Sequence, residues 1–460
     1  MFDEGYLAKV IKKALSKGGD FADIYIEHSM PTTIHFEDNK PEKVITGIEA
    51  GVGVRVIFGE KSAYAYSNDL SEKSLIDLAD TVSNAVQRED GNIVIALRKK
   101  KANIDYPIKL MPRDVPMERK IALVEDANRV ARAIDRRIRQ VSAIYRDTIQ
   151  RVKIVTSDGF VAEDKRIYTL ALVQVVASEG DVIQTGYEPI GGLIGFELFE
   201  ENPFDEVALK AAKKAAMLLG AMRIHGGRMP VVISSDAGGT MIHEAIGHGL
   251  EADLAQQGIS VYSGKIGQRI ASSAITVIDD ATLPNKRGSF RFDDEGVAAQ
   301  RTVLVEDGIL KRYMYDRLTA MKDGVRSTGN GRRESYQHRP IPRMTNTFIA
   351  PKDMSPDEII RSVETGLFVK KMGGGQVNTV TGDFVFEVSE GYLIERGQVG
   401  EPVRGATLTG NGPQILMSID MAGSDLGFSI GTCGKDGQGV PVSDAMPTIR
   451  IPEMVVGGKV

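Results

Sequence analysis

Apolar side chains recur at Leu7, Val10, Ile11 and Leu15, the three- and four-residue spacing of a helix with one buried face, and Gly18-Gly19 ends the run. The period then drops to two. Residues 21–28 alternate, with Ile24 and Ile26 on one face, and the stretches 32–37, 44–49, 52–58 and 62–66 follow with short polar breaks, as in a β-meander. A second helix is expected from Asp69, with Glu72 three positions on as in a capping box, burying Leu75, Leu78, Ala79, Val82 and Val86. After a stretch bearing Pro107, Pro112 and Pro116, a third helix carries Ile121, Val124, Val130 and Ile134. Strands over 140–147, 151–156 and 166–177 and a helix over 206–221 complete a first region of mixed α and β character.

Glycine and charge break the apolar pattern in Arg223-Ile224-His225-Gly226-Gly227-Arg228, and a domain boundary is placed there. Beyond it come a short strand over 230–233, a glycine turn over 234–239, a helix bearing His243, and glycine-rich strand-like segments at 302–306, 382–396, 406–409 and 414–419. The expected class is therefore α+β in two domains. Residues 1–222 form an N-terminal mixed α/β domain with an antiparallel or mixed sheet, and 223–460 a β-rich C-terminal domain with one functional helix.

The length of 460 residues agrees, since it exceeds what one hydrophobic core supports. Hydrophobic residues at 42% and charged residues at 26% exclude a disordered or membrane-embedded class. A formal net charge of -5 gives no global attraction to nucleic acid. No apolar run is long enough to span a bilayer, and the opening residues lack the basic and apolar regions of a signal peptide, so a cytoplasmic protein is expected. The single cysteine, Cys433, excludes an internal disulfide framework.

Candidate chemistry concentrates in His243-Glu244-Ala245-Ile246-Gly247-His248. In the H-E-x-x-H helix of zinc peptidases the two histidines lie four apart, on one face, with the glutamate free to act on water. Here the spacing is five, which on a regular helix turns the imidazoles roughly 140° apart. Two histidines can then share an ion only if the helix ends at the second or carries a wide π-type turn, a distortion Gly247 would permit. A stable site also needs a third protein ligand, with a fourth position left for water. Cys433 is the natural candidate, in a glycine-rich loop with Lys435 near enough to favour the thiolate. Glu244 is the expected base, and Glu251 and Asp253 are candidates for orienting the histidine rings.

A second segment, 330–346, carries Arg332, Arg333, Glu334, Tyr336, His338, Arg339 and Arg343. Arg333 and Tyr336 suit a clamp on a carboxylate or a peptide backbone, and His338 suits a third metal ligand or a hydrogen-bond donor to substrate. The same residues also describe a phosphate-binding strip, against which the acidic whole argues, or a loop tied down by its own arginines.

These three stretches, His243 to Asp253, Gly331 to Asn346 and Cys433 to Gln438, occur in the same order as in the TldD/PmbA metallopeptidase family and closely resemble its motifs. The resemblance implies one Zn2+ per chain held by His243, His248 and Cys433, with Glu244 as the catalytic carboxylate; the chemistry of Arg333, Tyr336 and His338 marks them as the expected substrate-binding residues. The resemblance also implies hydrolysis of small or unfolded peptides, taken as an added strand beside a sheet edge. The family pairs a metal-bearing subunit with a PmbA/TldE-like paralogue that lacks the metal motif, so the expected assembly is a heterodimer with such a paralogue, or a homodimer. The alternative implied by the same family is a non-enzymatic, metal-stabilised regulator binding a partner protein such as DNA gyrase.

Overall fold

The computed structural model describes residues 2–86 and 95–458. Helix α1 (Glu4–Ala14) is capped by Asp3, which accepts from the Tyr6 N–H, and buries Leu7, Val10 and Ile11. The chain then lays down β1 (Phe21–Glu37), β2 (Lys40–Thr46), β3 (Glu49–Phe58) and β4 (Lys61–Ser67) before α2 (Glu72–Ser83), which Ser71 rather than Asp69 caps. The short β5 (Arg98–Lys99), α3 (Met117–Ala133), β6 (Ile138–Thr156), β7 (Phe160–Glu179), β8 (Val182–Gly192), α4 (Leu198–Glu201) and α5 (Phe204–Gly220) follow. Their strands form one sheet in the order β4-β3-β1-β6-β7-β5, with β2 beside the second half of β1 and β8 beside that of β7. All neighbours are antiparallel except β5 and β7.

Stretches read separately in the sequence merge here, since 21–28 and 32–37 are one strand and 140–147 and 151–156 another. The proline in β1 explains why the join is tolerated. One edge of β1 pairs with β3 as far as Ser29 and with β2 from Thr32, so Pro31 sits where one partner replaces the other and a missing N–H costs little. Helices α1 and α2 pack on one part of the sheet, through Leu7, Val54, Leu75 and their neighbours, and α3 and α5 on another, through Ala127, Val173 and Ala211.

In the second half, five strands close on themselves. Thr365–Val377 pairs with Gly227–Ile233, then come Ile449–Gly457, Thr407–Asn411 and Asp383–Glu395, which returns to Thr365–Val377. Closure leaves these five no free edge, and Val231, Leu367, Phe386, Leu408 and Ile451 fill the core. A separate six-stranded sheet runs Ile309–Leu310, Arg301–Glu306, Val277–Asp280, Asn346–Ile349, Gln438–Met446, Gly427–Lys435, so the strand bearing Cys433 is its edge.

One segment differs in kind from its expectation. Residues 414–419 read as strand, but Gly412–Ser418 is a helix with Pro413 in its first turn. The apolar run is too short for its period to decide, and proline in the first turn with Gln, Leu and Met following favours the helix. The two halves meet through Tyr25, Val152 and Ile154 against Phe292 and Tyr336, and through Arg166, which donates to the Phe292 carbonyl at 2.7 Å. Among the described residues no helix is long and apolar enough to cross a membrane.

Candidate metal centre

The strand Gly227–Ile233 delivers the chain to a turn in which Gly238 takes φ 69°, a left-handed value suited to glycine, and the histidine motif follows directly. Only Thr240–Ile242 is ordinary α-helix. A π turn spans His243–Gly247, closed by the His248 N–H bonding to the His243 carbonyl, and His248–Leu250 tightens to 3-10. The extra residue of the motif is thus absorbed as a wide turn. The two imidazole centroids come within 5.0 Å, at 86° to each other, instead of diverging.

Gly247 is needed for a reason other than conformational freedom. Its backbone is right-handed helical, φ -55° and ψ -58°. A Cβ there would lie 2.2 Å from the Met344 sulfur, so a side chain at this position requires that buried methionine to move.

Across the gap, the edge strand Gly427–Lys435 presents Cys433, whose Sγ is 3.6 Å from His248 Nε2. The three ligand atoms of His243, His248 and Cys433 all lie within 4.8 Å of one another. Bonds of about 2.05 Å to nitrogen and 2.3 Å to sulfur at a tetrahedral angle would set a nitrogen and a sulfur about 3.6 Å apart, as Cys433 Sγ and His248 Nε2 are, so the residues present fit Zn2+ once the spread of up to 4.8 Å among the three closes by small side-chain shifts. Burial pushes the Cys433 thiol up, but hydrogen bonds from His243 and His248 outweigh it and hold the group well below its ordinary range. That favours the thiolate, the form that binds metal.

Each ring has a carboxylate behind it, hydrogen-bonded at His248 and only close by at His243. His248 Nδ1 lies 3.1 Å from Glu251 Oε2, and Lys435 Nζ lies 3.0 Å from the same oxygen and 2.7 Å from Asp253 Oδ1. Burial raises the Glu251 carboxyl, but Lys435 and His248 bring it down to about 2, so it stays ionised. Glu251 therefore sits where the sequence suggested, whereas Asp253 grips Lys435 rather than a ring. Lys435 faces these carboxylates and the Pro342 carbonyl rather than the thiol, whose stabilising partners are the imidazoles. His243 Nδ1 lies 3.4 Å from Asp444 Oδ2, and Asp444 in turn accepts from the Ser429 hydroxyl. Sequence reasoning missed Asp444; the available signal was one carboxylate in the otherwise apolar and small-residue strand around Val440 to Met446. Glu244 is half-buried, and no described residue hydrogen-bonds its carboxylate.

The arginine segment is mostly inside the protein. Arg332, Arg333 and Arg343 are 3%, 3% and 0% exposed, so they form no phosphate-binding strip. Arg333 donates to the Asp294 carbonyl at 3.0 Å and stacks over Tyr25 at 4.3 Å. Tyr336 packs against Tyr66 and its N–H donates to Glu27 at 2.7 Å. His338 is half-buried beside the Ser335 hydroxyl and stands outside the group of metal-capable atoms. All three nevertheless line a cavity of about 750 Å³ between this segment and the first sheet, whose far wall includes Thr148, Gln150 and Tyr168. The edge strand is less open than a strand-adding peptide would want, because the Gly431 and Cys433 carbonyls already accept from Arg287 and Arg343.

Family models match three stretches: PmbA/TldA metallopeptidase domain 1 over residues 22–88, the central domain over 111–219 and the C-terminal domain over 226–458. A Haemophilus influenzae protein named as a metalloprotease TldD homolog is 39% identical, across 95% of this chain and 93% of its own length. A zinc metalloprotease TldD homolog of Saccharolobus solfataricus is 30% identical, across 98% of this chain and 100% of its own. The fold matches that of TldE from Thermococcus kodakarensis with a TM-score of 0.79 at 17% identity, covering 98% of this chain and 100% of that one.

Proposed function

The chain belongs to the PmbA/TldD metallopeptidase family, and from that premise we propose that it is a zinc-dependent peptidase with one Zn2+ per chain, held by His243, His248 and Cys433. The observation that carries this reading is the convergence, within 4.8 Å, of ligand atoms from His243 and Cys433, 190 residues apart in sequence (433 − 243), and from His248. Two imidazoles and a thiolate leave one tetrahedral position open, the mark of a catalytic rather than a structural site. His338 supplies no fourth ligand, which disfavours the purely structural metal of the regulator alternative.

When bound, the ion polarises the peptide carbonyl and makes water more acidic. Glu244, the half-buried carboxylate next to His243 and unclaimed by described neighbours, takes the proton from the attacking water and passes it to the departing nitrogen. Glu251 hydrogen-bonds the His248 imidazole and Asp444 stands behind that of His243, an arrangement that leaves the other nitrogens for the ion. In this reading Arg333, Tyr336 and His338 form a substrate wall, residues 223–460 carry the chemistry and residues 1–222 close the cavity from the other side.

The substrates proposed are small or unfolded peptides, because a folded protein rarely offers the free extended segment that backbone recognition needs. The partner proposed is a PmbA/TldE-like paralogue or a second copy of the chain. Metal analysis together with cleavage of an unstructured peptide tests the whole: zinc retained stoichiometrically by a His243→Ala, Cys433→Ala double variant would sink the ligand assignment.

A further inference from the structure

Three adjacent residues, Pro342, Arg343 and Met344, touch both elements that carry the metal-capable side chains. The Pro342 carbonyl accepts from Lys435 Nζ at 3.1 Å, and the Met344 sulfur packs against the π turn at Gly247. Between them Arg343 reaches the hairpin that presents the thiol. Its guanidinium donates through Nη2 to the Cys433 carbonyl and through Nη1 to the Gln438 carbonyl, the latter at 3.3 Å. Cys433 precedes the turn at Asp436-Gly437 and Gln438 follows it, so one planar group bonds both arms.

Arg343 is itself held in place. Its backbone N–H donates to the Asn330 carbonyl at 2.9 Å, and the Asn330 amide donates to the Arg343 carbonyl at 2.9 Å and to Asp279 Oδ2 at 2.8 Å. Asp279 belongs to Val277–Asp280, an inner strand of the same six-stranded sheet whose edge bears Cys433. The Arg343 side chain is wholly buried, and among the described residues its Nε has no partner. No carboxylate among them comes within ion-pair reach, Glu251 feeling its charge from farther off. A guanidinium so placed is costly, and an apolar side chain of similar length would fill the space without that cost. What an apolar chain could not supply is a pair of directed, charge-assisted bonds to two carbonyls.

We propose that Arg343 is a positioning residue of the metal centre: by clipping both arms of the hairpin to the segment that also backs the π turn, it fixes where the Cys433 sulfur stands relative to His243 and His248. A strand at the edge of a sheet has a neighbour on one side only, so its place depends on tethers of this kind. Binding sites tolerate misplacement of their donors by only about 0.5 Å. The inference rests on the ligand set proposed above, not on peptide cleavage, and adds to that set the residue that governs how firmly the ion is held.

Two readouts on the full chain test it: zinc affinity, by competition with a chromogenic chelator, and the absorption of the Co2+-loaded protein, in which a sulfur-to-metal band reports the thiolate. Arg343→Lys keeps the charge but replaces the fork by a single compact ammonium. It is expected to bind zinc about tenfold more weakly, and Arg343→Met about 100-fold, the span usual when a group behind a metal ligand is removed. In both variants the sulfur band should shift or weaken. Val10→Ala, in the separate core beneath α1, controls for a general loss of stability and should lower Tm while leaving both readouts unchanged. Zinc affinity and band unaltered in Arg343→Lys, or altered no more than in Val10→Ala, would overturn the proposal, whether or not Arg343→Met folds. Absence of the sulfur band from the unsubstituted protein would instead refute the ligand set, and with it the thiol that Arg343 is proposed to hold.

Discussion

His248 turns its Nδ1 toward the carboxylate of Glu251 at 3.1 Å, and that carboxylate is wholly buried with Lys435 3.0 Å away. Lys435 stands two residues beyond Cys433 on one strand. The ion pair therefore ties the strand that presents the thiol to the turn that presents the second imidazole. Removing the charge from Glu251 should loosen both. Glu251→Gln is expected to lower zinc affinity about 10- to 100-fold, measured by competition with a chromogenic chelator. An unchanged affinity would show that the pair only stabilises the fold.

Glu244 has a different expected signature. Because its role is proton transfer rather than ligation, Glu244→Gln should retain zinc at the stoichiometry of the unsubstituted protein and lose about 10²- to 10⁴-fold in kcat. Metal content and single-turnover cleavage of an unstructured peptide, measured on the same preparation, separate the two properties. Full turnover would remove Glu244 from the mechanism.

Gly247→Ala pits two effects against each other. Alanine is ordinarily the better helix former by about 0.5–1 kcal/mol. Here its Cβ would sit 2.2 Å from the Met344 sulfur, and overpacking of that kind costs about 1–3 kcal/mol. A net loss of stability of roughly 1–2 kcal/mol is expected from urea denaturation. In a Met344→Ala background the same substitution should become neutral or stabilising; an equal penalty in both backgrounds would mean that the contact is not its cause.

Asp316 supplies a pH dependence away from the metal ligands. Burial first, and then the neighbouring Glu295, push its carboxyl up to about 7, against about 3.9 in an unfolded chain. Between those values the folded protein holds a proton that the unfolded chain has released, so this group makes stability fall as pH rises from about 4 to about 7. Asp316 also caps the helix Arg317–Asp323 by accepting the Thr319 N–H at 2.8 Å, a role asparagine fills equally well. Asp316→Asn should accordingly raise Tm over the unsubstituted protein by an increment that grows between about pH 5 and about pH 8. A constant difference across that range would contradict the assignment.

Much of this architecture was legible locally. Leu7, Val10 and Ile11 announce α1, the alternation of 52–58 announces β3, and the five-residue histidine spacing demands a break in the helix, which appears as the π turn at His243–Gly247. These are properties of period and turn chemistry, carried by a handful of adjacent residues. Where the local signal was short or two-sided it misled. The segment Gln414 to Ile419 reads as strand but is too short for its period to exclude a helix, and the gap between 28 and 32 reads as a break although the exchange of partners from β3 to β2 lets β1 run through Pro31.

Residue type and spacing alone required an irregular turn, since the pitch of the backbone is known, and they supplied candidate donors, leaving the third between Cys433 and His338 until the family resemblance favoured the cysteine. What surrounds those residues was settled by packing. That Asp444 stands behind His243, that Lys435 serves Glu251 rather than the thiol, and that Met344 crowds position 247 are contacts between distant segments. The arginines make the same point: Arg332 and Arg333 are chemically alike and adjacent, yet Arg333 lies near Asp23 while Arg332 donates to two carbonyls and lies over the Phe290 ring. Which groups share a guanidinium's low-dielectric surroundings depends on contacts between distant segments, and that is fixed by packing.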